Sequence, residues 1–241
     1  MRELPDLTHE PHTARRPASA CPDCALLRLN LLASATPPNV EPCLFRCVAV
    51  EARSPLPPRW FKELRFGVVR RGIVVRQRFD GQGCATAVDA VGTGGLVPLA
   101  SSVVRSGDPV VTGYAATDAM LCVCTVEAAD AMMATDARVA REVLELHRQA
   151  MERMERLGDA RGRPNVLARV AATLAALVDC LSPLRATEVI PSELQHADLA
   201  ALVAARQETV CRAVKTLERR GVIARDADGT RIVDRAALDA S

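Results

Sequence analysis

A pattern near the C-terminus constrains the fold of this chain more than any other feature. Two segments with apolar residues at helical spacing, about His196–Val203 and about Gln207–Arg220, are separated by a short turn. Two short apolar pieces, Val222–Ala224 and Arg231–Val233, follow across Asp228-Gly229 and predict a hairpin. Helix, tight turn, helix and hairpin wing is the order of a winged helix-turn-helix, whose second helix enters the major groove of DNA. The sequence therefore predicts a DNA-binding domain at this end.

The positive charge of the chain is concentrated on the same segment. The whole chain has a formal net charge of only +2, so its overall field offers little attraction for nucleic acid. Between Arg206 and Arg225, however, six basic side chains stand against two acidic ones. A local basic patch of this kind is what a protein needs to contact the phosphates of DNA.

The second helix of the motif would present its polar face to DNA. The candidate contact residues are Arg206, Gln207, Glu208, Thr209, Cys211, Arg212 and Lys215. Arg212 can bond O6 and N7 of a guanine, Glu208 can accept from a cytosine amine, and Gln207 can pair with an adenine. The remaining basic residues suit phosphates. The alternative interpretation is an amphipathic surface helix whose charges are solvated.

Glycine and proline positions divide the rest of the chain into parts. Short β-rich pieces split by glycine turns, such as Ile73–Phe79 before Gly81, predict a small antiparallel barrel or roll. A hinge is predicted at Gly158–Pro164, followed by an apolar helix over Val166–Leu181. We therefore predict a disordered arm with a cysteine-bearing segment, a β-roll, a long helix with its hinge, and a DNA-binding domain, at residues 1–47, 48–135, 136–162 and 163–241.

The segment from Asp136 to about Gly158 predicts a helix with one apolar stripe. Its apolar residues step by three or four along the chain, at Val139, Val143, Leu146, Ala150, Met154 and Leu157. Two interpretations are open. The helix can lie on its own domain, or it can pair with a second copy as a two-stranded coiled coil, since three heptad-like turns are the minimum for that pattern.

Several classes of protein are disfavoured by what the chain lacks. Aromatic residues make up only 2% of it, so binding of single strands by base stacking is disfavoured. The chain has no P-loop, no dinucleotide fingerprint and no convincing Ser/His/Asp set, so we do not expect an enzyme. The first twenty residues contain no apolar run of signal-peptide length, and no stretch of the chain reaches the length of a membrane span, so we expect a cytoplasmic protein.

The nine cysteines are poorly explained as a disulfide framework, because we expect the chain in the reducing cytosol. Cys21 and Cys24 form a C-x-x-C element, and Cys43 and Cys47 follow shortly after it. Metal binding or redox sensing explains this cluster better. The thiols interpreted as ordinary core or surface groups are Cys84, Cys124, Cys180 and Cys211, although oxidation of the last could block contact with DNA.

The second helix and its flanks resemble those of the Crp/Fnr regulators. The resemblance is carried by Asp198–Ala200, Arg206–Val214 and Leu217–Ile223, and the pattern Glu-Thr-Val-x-Arg at 208–212 marks the recognition helix of that family. The resemblance covers about residues 60–241. It implies an α+β protein with an antiparallel β-roll of the cupin-like, cyclic-nucleotide-binding type, a long dimerisation helix and a C-terminal winged helix-turn-helix.

The same resemblance implies a function in transcription regulation. Its partners would be a second copy of the chain, double-stranded DNA with a palindromic site, and RNA polymerase, with Glu208 and Arg212 as base readers. It also shifts the interpretation of the long helix toward a dimer interface. A rival hypothesis is a metal-containing protein whose C-terminal domain binds a partner protein; DNA binding should weaken steeply with salt, whereas that association should not.

Cyclic nucleotide is a poor candidate for the signal. Family members that bind it resemble one another at a phosphate cassette, in which Gly-Glu is followed by Arg-Ser or Arg-Thr. The matching stretch Gly94–Ser101 lacks the glutamate, and Pro109–Gly113 lacks the arginine. A buried cyclic phosphate would then have no cation beside it, which is energetically costly.

Fnr-type members instead hold an oxygen-labile iron–sulfur cluster on three N-terminal cysteines and one from the roll. By this resemblance the cofactor is a 4Fe–4S cluster, and its ligands are Cys21, Cys24, Cys47 and Cys122, with Cys43 as the alternative third ligand. The spacing departs from the family, which places the third ligand a few residues after the pair. Two alternatives stay open, namely buried or redox-active thiols and a structural zinc site on Cys21, Cys24, Cys43 and Cys47.

Overall fold

The computed structural model describes residues 45–79, 85–99, 110–135, 137–181 and 189–240. The predicted N-terminal arm lies outside the described residues, as do Cys21, Cys24, Cys43 and Cys84. Three parts follow one another along the described chain: a β-rich part, a long helix and a C-terminal helical domain with a small sheet.

Seven strands and one short helix form the β-rich part. In chain order these are β1 Arg46–Val50, α1 Trp60–Glu63, β2 Leu64–Arg71, β3 Val74–Phe79, β4 Ala85–Val91, β5 Leu96–Pro98, β6 Val110–Ala115 and β7 Ala119–Thr125. The strands pair antiparallel in two sheets, with the orders β1-β7-β2-β5 and β4-β3-β6. The predicted antiparallel roll is therefore confirmed.

The turn between β2 and β3 shows how closely the two sheets approach. Gly72 has a φ of +87°, and a Cβ placed there would lie 2.4 Å from the carbonyl oxygen of Asp118. Only glycine combines this backbone conformation with the absence of a side chain. The tight turn lets β2 continue into the second sheet.

Aliphatic side chains from both sheets fill the interior of the roll. Val69, Val74, Val91 and Leu121 are fully buried there. Trp60, the single tryptophan of the chain, packs with them from α1 and is 1% exposed. Because β-branched residues suit the pleated surface of a sheet, a core poor in aromatics still packs.

Two helices follow the roll: α2 Val126–Thr135 and α3 Ala137–Arg161. The predicted helix therefore runs three residues beyond Gly158. Five residues of the predicted stripe, all except Met154, are buried against Phe66 and other apolar side chains of the same chain. The interpretation of this stripe as the face toward a second copy is wrong, because the sheet β1-β7-β2-β5 needs an apolar cover and the stripe supplies it.

A charged residue completes the buried stripe of α3. Arg153, and not Met154, occupies the position between Ala150 and Leu157. Its Nε donates to Asp89 Oδ1 over 2.7 Å, and one of its terminal nitrogens donates to the carbonyl of Leu96 over 2.9 Å. The pair is buried, so each charge depends on the other in place of water.

The C-terminal domain contains the predicted helix-turn-helix and wing. Its elements are α4 Val166–Leu181, β8 Val189–Pro191, α5 His196–Val203, α6 Gln207–Arg219, β9 Ile223–Arg225, β10 Gly229–Ile232 and α7 Arg235–Asp239. The wing is a sheet of three strands in the order β8-β10-β9. The sequence pattern predicted the hairpin β9-β10 within one residue or two and missed both β8 and α7.

In the described part of the chain, no helix is both long enough and apolar enough to cross a membrane.

Candidate nucleic-acid interface

The second helix of the helix-turn-helix, α6, separates its residues into two faces. Val210, Ala213, Val214 and Leu217 are buried and hold the helix against α4 and α5. The opposite face carries all seven candidate DNA contacts. Six of the seven are exposed, and Cys211 is half-buried. The seven residues are Arg206, Gln207, Glu208, Thr209, Cys211, Arg212 and Lys215. The fold thus brings the predicted contact residues together on one surface.

Local hydrogen bonds fix the angle between α5 and α6. The side chain of Gln195 and that of Asp198 form a reciprocal capping box at the start of α5. Ala204 ends α5 in the left-handed conformation, with a φ of 53°. The chain turns at this residue. After two more residues α6 begins at Gln207, and the first three residues of α6 are exposed.

The two predicted base readers contact each other on the surface of α6. Arg212 forms an ion pair with Glu208 one turn earlier, and the two side chains are 74% and 75% exposed. A pair this exposed contributes about 0 to 1 kcal/mol, because water screens it and both side chains lose freedom. Each side chain can therefore leave this ion pair and contact a base edge at little cost in free energy.

A cleft of about 300 Å³ lies between the helix-turn-helix and the wing. It is lined by His196 at the start of α5, by Gln207 at the start of α6, and by Arg225 and Asp226 of the wing. Partial burial lowers the pKa of His196, and the charges of Arg225 and Lys215 lower it further. Arg225 and Lys215 are thus close enough to His196 to disfavour its protonated form.

The turn of the wing is stabilised by one carboxylate. Oδ1 of Asp226 accepts from the backbone N–H of Asp228 and of Gly229 over 2.9 and 3.1 Å. Arg231 across the hairpin donates to Oδ2 over 3.3 Å. Arg231 and the two backbone donors together lower the pKa of Asp226. The wing is thereby a defined hairpin beside the recognition helix.

Comparison with protein families assigns this domain. Residues 168–241 match the model of the Crp-like helix-turn-helix domain. A search of curated protein sequences gives no match.

Solved structures with a similar fold cover most of the chain. FixK2 from Bradyrhizobium japonicum aligns over 80% of this chain and 95% of its own, with a TM-score of 0.64 and 16% identity. A CooA mutant from Carboxydothermus hydrogenoformans aligns over 82% and 87%, with a TM-score of 0.61 and 12% identity. The c-di-GMP-responsive global regulator CLP from Xanthomonas campestris aligns over 87% of this chain and 99% of its own, with a TM-score of 0.57 and 15% identity.

These likenesses concern the fold, and the match of residues 168–241 concerns the DNA-binding domain. The C-terminal domain is a Crp-like helix-turn-helix domain. The α+β architecture predicted for the chain, with a β-roll, a long helix and a C-terminal winged helix-turn-helix, is confirmed.

Two of the predicted metal ligands lie opposite each other in the roll. Cys47 of β1 and Cys122 of β7 are directly paired across the antiparallel ladder. A hydrogen bond with the Cys122 thiol and the neighbouring guanidinium of Arg70, 3.9 Å away, lower the pKa of Cys47 to about 6 although partial burial opposes this. Among the described residues, no group of three or more potential ligands comes together.

The lowered pKa of Cys47 suits a metal ligand. Thiolate sulfur is the ligand that iron–sulfur clusters and zinc use, and Cys47 is exposed while Cys122 is buried beside it. The two residues would hold one side of such a group, and its chemistry there would be oxygen-sensitive electron transfer in the case of a cluster. The remaining predicted ligands, Cys21, Cys24 and the alternative Cys43, lie outside the described residues.

Sequence reasoning missed two ion pairs that connect the parts of the chain. Asp89 with Arg153 ties the long helix to β4, and Arg53 with Asp198 ties the roll to α5. The only signal for the first was an arginine at a stripe position of a helix. The second joins residues 145 positions apart, so no local pattern could have indicated it.

Proposed function

We propose that the protein is a transcription regulator of the Crp/Fnr type, which binds a two-fold-related DNA site as a homodimer and reads each half-site with the first turns of α6. The observation that carries this proposal is the exposed face of α6, where the candidate contacts surround an anchored apolar face. The geometry supports direct readout, because a helix that projects its N-terminal residues outward can reach base edges in the major groove.

Arg212 has the central role in the proposed readout. Its guanidinium can donate two hydrogen bonds to one guanine, and each such bidentate contact discriminates against the wrong base by about 1 to 3 kcal/mol. Glu208, which pairs with Arg212 in the free protein, accepts from a cytosine amine next to it. Lys215 lies a turn further along α6, where a point charge suits a phosphate better than a base edge.

The proposal is tested by comparing Arg212→Ala with Lys215→Ala. We expect Arg212→Ala to reduce the preference for the cognate site over a site with one changed guanine by roughly 5- to 150-fold, and to leave weak, salt-sensitive binding. Lys215→Ala, the matched control, should weaken binding to all sequences alike and lower the salt slope by about 1. Sequence preference unchanged in Arg212→Ala would remove this residue from the readout.

A second stripe on α3 supports the homodimer. Leu144 and Met151 are 68% and 58% exposed, which is unusual for large apolar residues. They lie seven positions apart, and partly buried Ala140, His147 and Met154 fill the alternating spacing of three and four between and beside them. This is the heptad pattern of a two-stranded coiled coil, offset from the stripe that packs on the roll. The long helix can therefore pack on its own domain with one face and pair with a second copy through the other.

The proposed signal is the redox state of a thiolate-bound 4Fe–4S cluster. Support comes from the pairing of Cys47 with Cys122, because it favours a ligand set that contains both residues. The zinc alternative on Cys21, Cys24, Cys43 and Cys47 leaves Cys122 out. The same pairing supports Cys47 as the third ligand.

The metal content of the purified regulator tests this part of the proposal. After anaerobic purification we expect a brown protein with iron and acid-labile sulfide, which bleaches in air. Cys47→Ser and Cys122→Ser should lose the iron, whereas Cys180→Ser, which alters a thiol buried in α4, should retain it. A colourless, iron-free protein would contradict the cluster, and stoichiometric zinc that survives Cys122→Ser would establish the alternative site.

A further inference from the structure

Three side chains connect the roll to the first helix of the helix-turn-helix. Nη1 of Arg53 lies 2.8 Å from both carboxylate oxygens of Asp198. The hydroxyl of Tyr114 in β6 donates to Oδ1 of the same carboxylate over 2.6 Å. Asp198 is only 2% exposed, so these two residues of the roll replace the water that its charge would otherwise bind.

The carboxylate of Asp198 also belongs to the helix-turn-helix itself. Its Oδ2 accepts from the backbone N–H of Gln195 over 2.8 Å and so caps the start of α5. Arg53 reaches the same point from the roll, because its Nη2 donates to the carbonyl of Glu193 over 2.6 Å. One side chain thus sets the direction of α5 and holds it to another domain.

The backbone of Arg53 is held in an uncommon conformation at this contact. Its φ is +68°, in the left-handed region that arginine rarely adopts. The backbone N–H of Arg53 donates to the carbonyl of Ala115 over 2.7 Å, next to Tyr114 in β6. A strained residue persists only where its surroundings fix it, and such residues often mark a functional position.

Close packing continues the contact along β4. Val75, Ala87 and Ala90 of the roll share one apolar core with Leu199 and Leu202 of α5. At Gly92, the residue after β4, a Cβ would lie 2.6 Å from the carbonyl oxygen of Leu181 at the end of α4. The backbone of α4 therefore rests directly on the roll, and the interface between the two domains is closely packed.

We propose that Asp198 is a positioning residue for DNA recognition, which with Arg53 and Tyr114 fixes the helix-turn-helix on the roll and so sets the separation of the two recognition helices in the dimer. The inference rests on the proposed homodimer. A dimer of this kind binds half-sites whose centres are about 34 Å, one helical turn, apart, so a fixed separation selects one operator spacing. Asp198, Arg53 and Tyr114 act on α6 through the orientation of the domain, since the candidate DNA contacts lie on the exposed face of α6.

The test compares operators that differ only in the distance between half-sites. The operator is first selected from random DNA with the wild-type dimer, and base pairs are then inserted or deleted at its centre. We expect the wild type to prefer one spacing by about tenfold or more over its neighbours, and Arg53→Ala to reduce this preference to about twofold while keeping the same half-site sequence. Arg53 lies in the roll, so the sequence of the helix-turn-helix is unchanged in this variant.

Further variants separate positioning from general destabilisation. Tyr114→Phe removes one donor to Asp198 and should give an intermediate loss, whereas Arg53→Lys, which keeps the positive charge, should restore part of the spacing preference. Asp130→Ala is the matched control, because it removes the ion pair of Asp130 with Arg65 outside the interface between the domains. It should behave as the wild type.

Hydrogen exchange tests the contact between the two domains in the absence of DNA. In Arg53→Ala we expect the amides of α5 and β4 to lose protection together, while those in the interior of α6 keep theirs. An unchanged spacing preference in Arg53→Ala, or an equal loss of spacing and sequence preference, would overturn the inference, as would unaltered exchange. A wild-type protein without any sequence preference would instead contradict the proposed function, and the exchange experiment would still decide the contact.

Discussion

At the scale of single residues, the surroundings of each thiol determine its chemistry. Burial in α4 raises the pKa of Cys180 to about 12 and keeps it neutral at physiological pH. The hydrogen bond from Cys122 and the charge of Arg70 act in the opposite direction on Cys47, whose pKa they lower to about 6. A thiolate is the form that binds metal and reacts with oxidants or alkylating agents.

Alkylation should therefore distinguish these two cysteines in the metal-free protein. Because the thiolate of Cys47 forms as the pH rises through about 6, we expect iodoacetamide to modify it at pH 7 with little further gain at pH 8. Cys180 should stay unmodified in the folded state over this range and react only after unfolding. Peptide mass spectrometry measures both sites in one sample, with unfolded protein as the control.

The pH dependence of alkylation could also contradict the lowered pKa of Cys47. If the rate at Cys47 rose tenfold for each pH unit between 6 and 8, as for an ordinary thiol with a pKa of about 8.5, its surroundings would not stabilise the thiolate. Arg70→Ala offers a finer comparison, because it removes one of the two stabilising groups and should shift the alkylation profile to higher pH.

At the scale of elements, the long helix α3 has two apolar stripes, one buried and one exposed. The stripe through Val143 and Leu146 is buried on the roll, whereas the stripe through Leu144 and Met151 faces outward. Arg148, which lies between Leu144 and Met151 in the sequence, forms exposed ion pairs with Glu145 and Glu152. The helix thus packs on its own domain with one face, and the adjacent exposed face is the one that the proposed homodimer would bury.

Leu144→Glu should convert the dimer into a monomer. A carboxylate at this position would meet its symmetry mate in the seam, where two like charges would be desolvated together. We expect light scattering to report about half the wild-type mass at micromolar concentration, with an unchanged thermal unfolding midpoint for the subunit. Gln149→Glu adds the same charge to the same helix outside the outward stripe and should remain dimeric.

Retention of the dimer in Leu144→Glu would mean that another surface joins the subunits. Loss of the folded subunit in this variant is not expected, because Leu144 is mostly exposed in the single chain. Substitution of Leu146 would be a poor test, because its side chain is only 4% exposed in the core beneath the helix and its loss would destabilise the subunit itself.

At the scale of the whole molecule, a nearly neutral chain carries a concentrated basic surface. The formal net charge is +2, whereas the segment from Arg206 to Arg225 holds six basic and two acidic residues. In a dimer two such surfaces would face the same DNA. Phosphate neutralisation should then dominate the affinity, since each contact releases counterions from the duplex.

We expect the affinity of the dimer for its operator to fall about 10³- to 10⁵-fold between 50 and 200 mM salt, the range for six to ten phosphate contacts. The monomeric Leu144→Glu variant should show about half the slope of log K against log salt. Fluorescence anisotropy with a labelled duplex measures both slopes. A slope near zero would favour the rival hypothesis of a C-terminal domain that binds a protein partner.

The predictability of the site differed from one residue to the next. The face of α6 followed from local periodicity, because Val210, Val214 and Leu217 fall at helical spacing and leave Glu208 and Arg212 outside. The stripe of α3 was also found, but its partner was assigned wrongly for most of its length. Periodicity shows that a face is apolar; it does not show whether a sheet of the same chain or a second copy covers it.

The sequence by itself determined the elements of the helix-turn-helix, the location of the basic surface and the antiparallel nature of the roll, because these depend on residues close together in the chain. Only the tertiary structure decided which thiols lie opposite each other, that Arg153 is paired inside the molecule, and that Asp198 joins two domains through Arg53. Ion pairs and strand registers between distant segments depend on how the whole chain packs, and no local propensity records them.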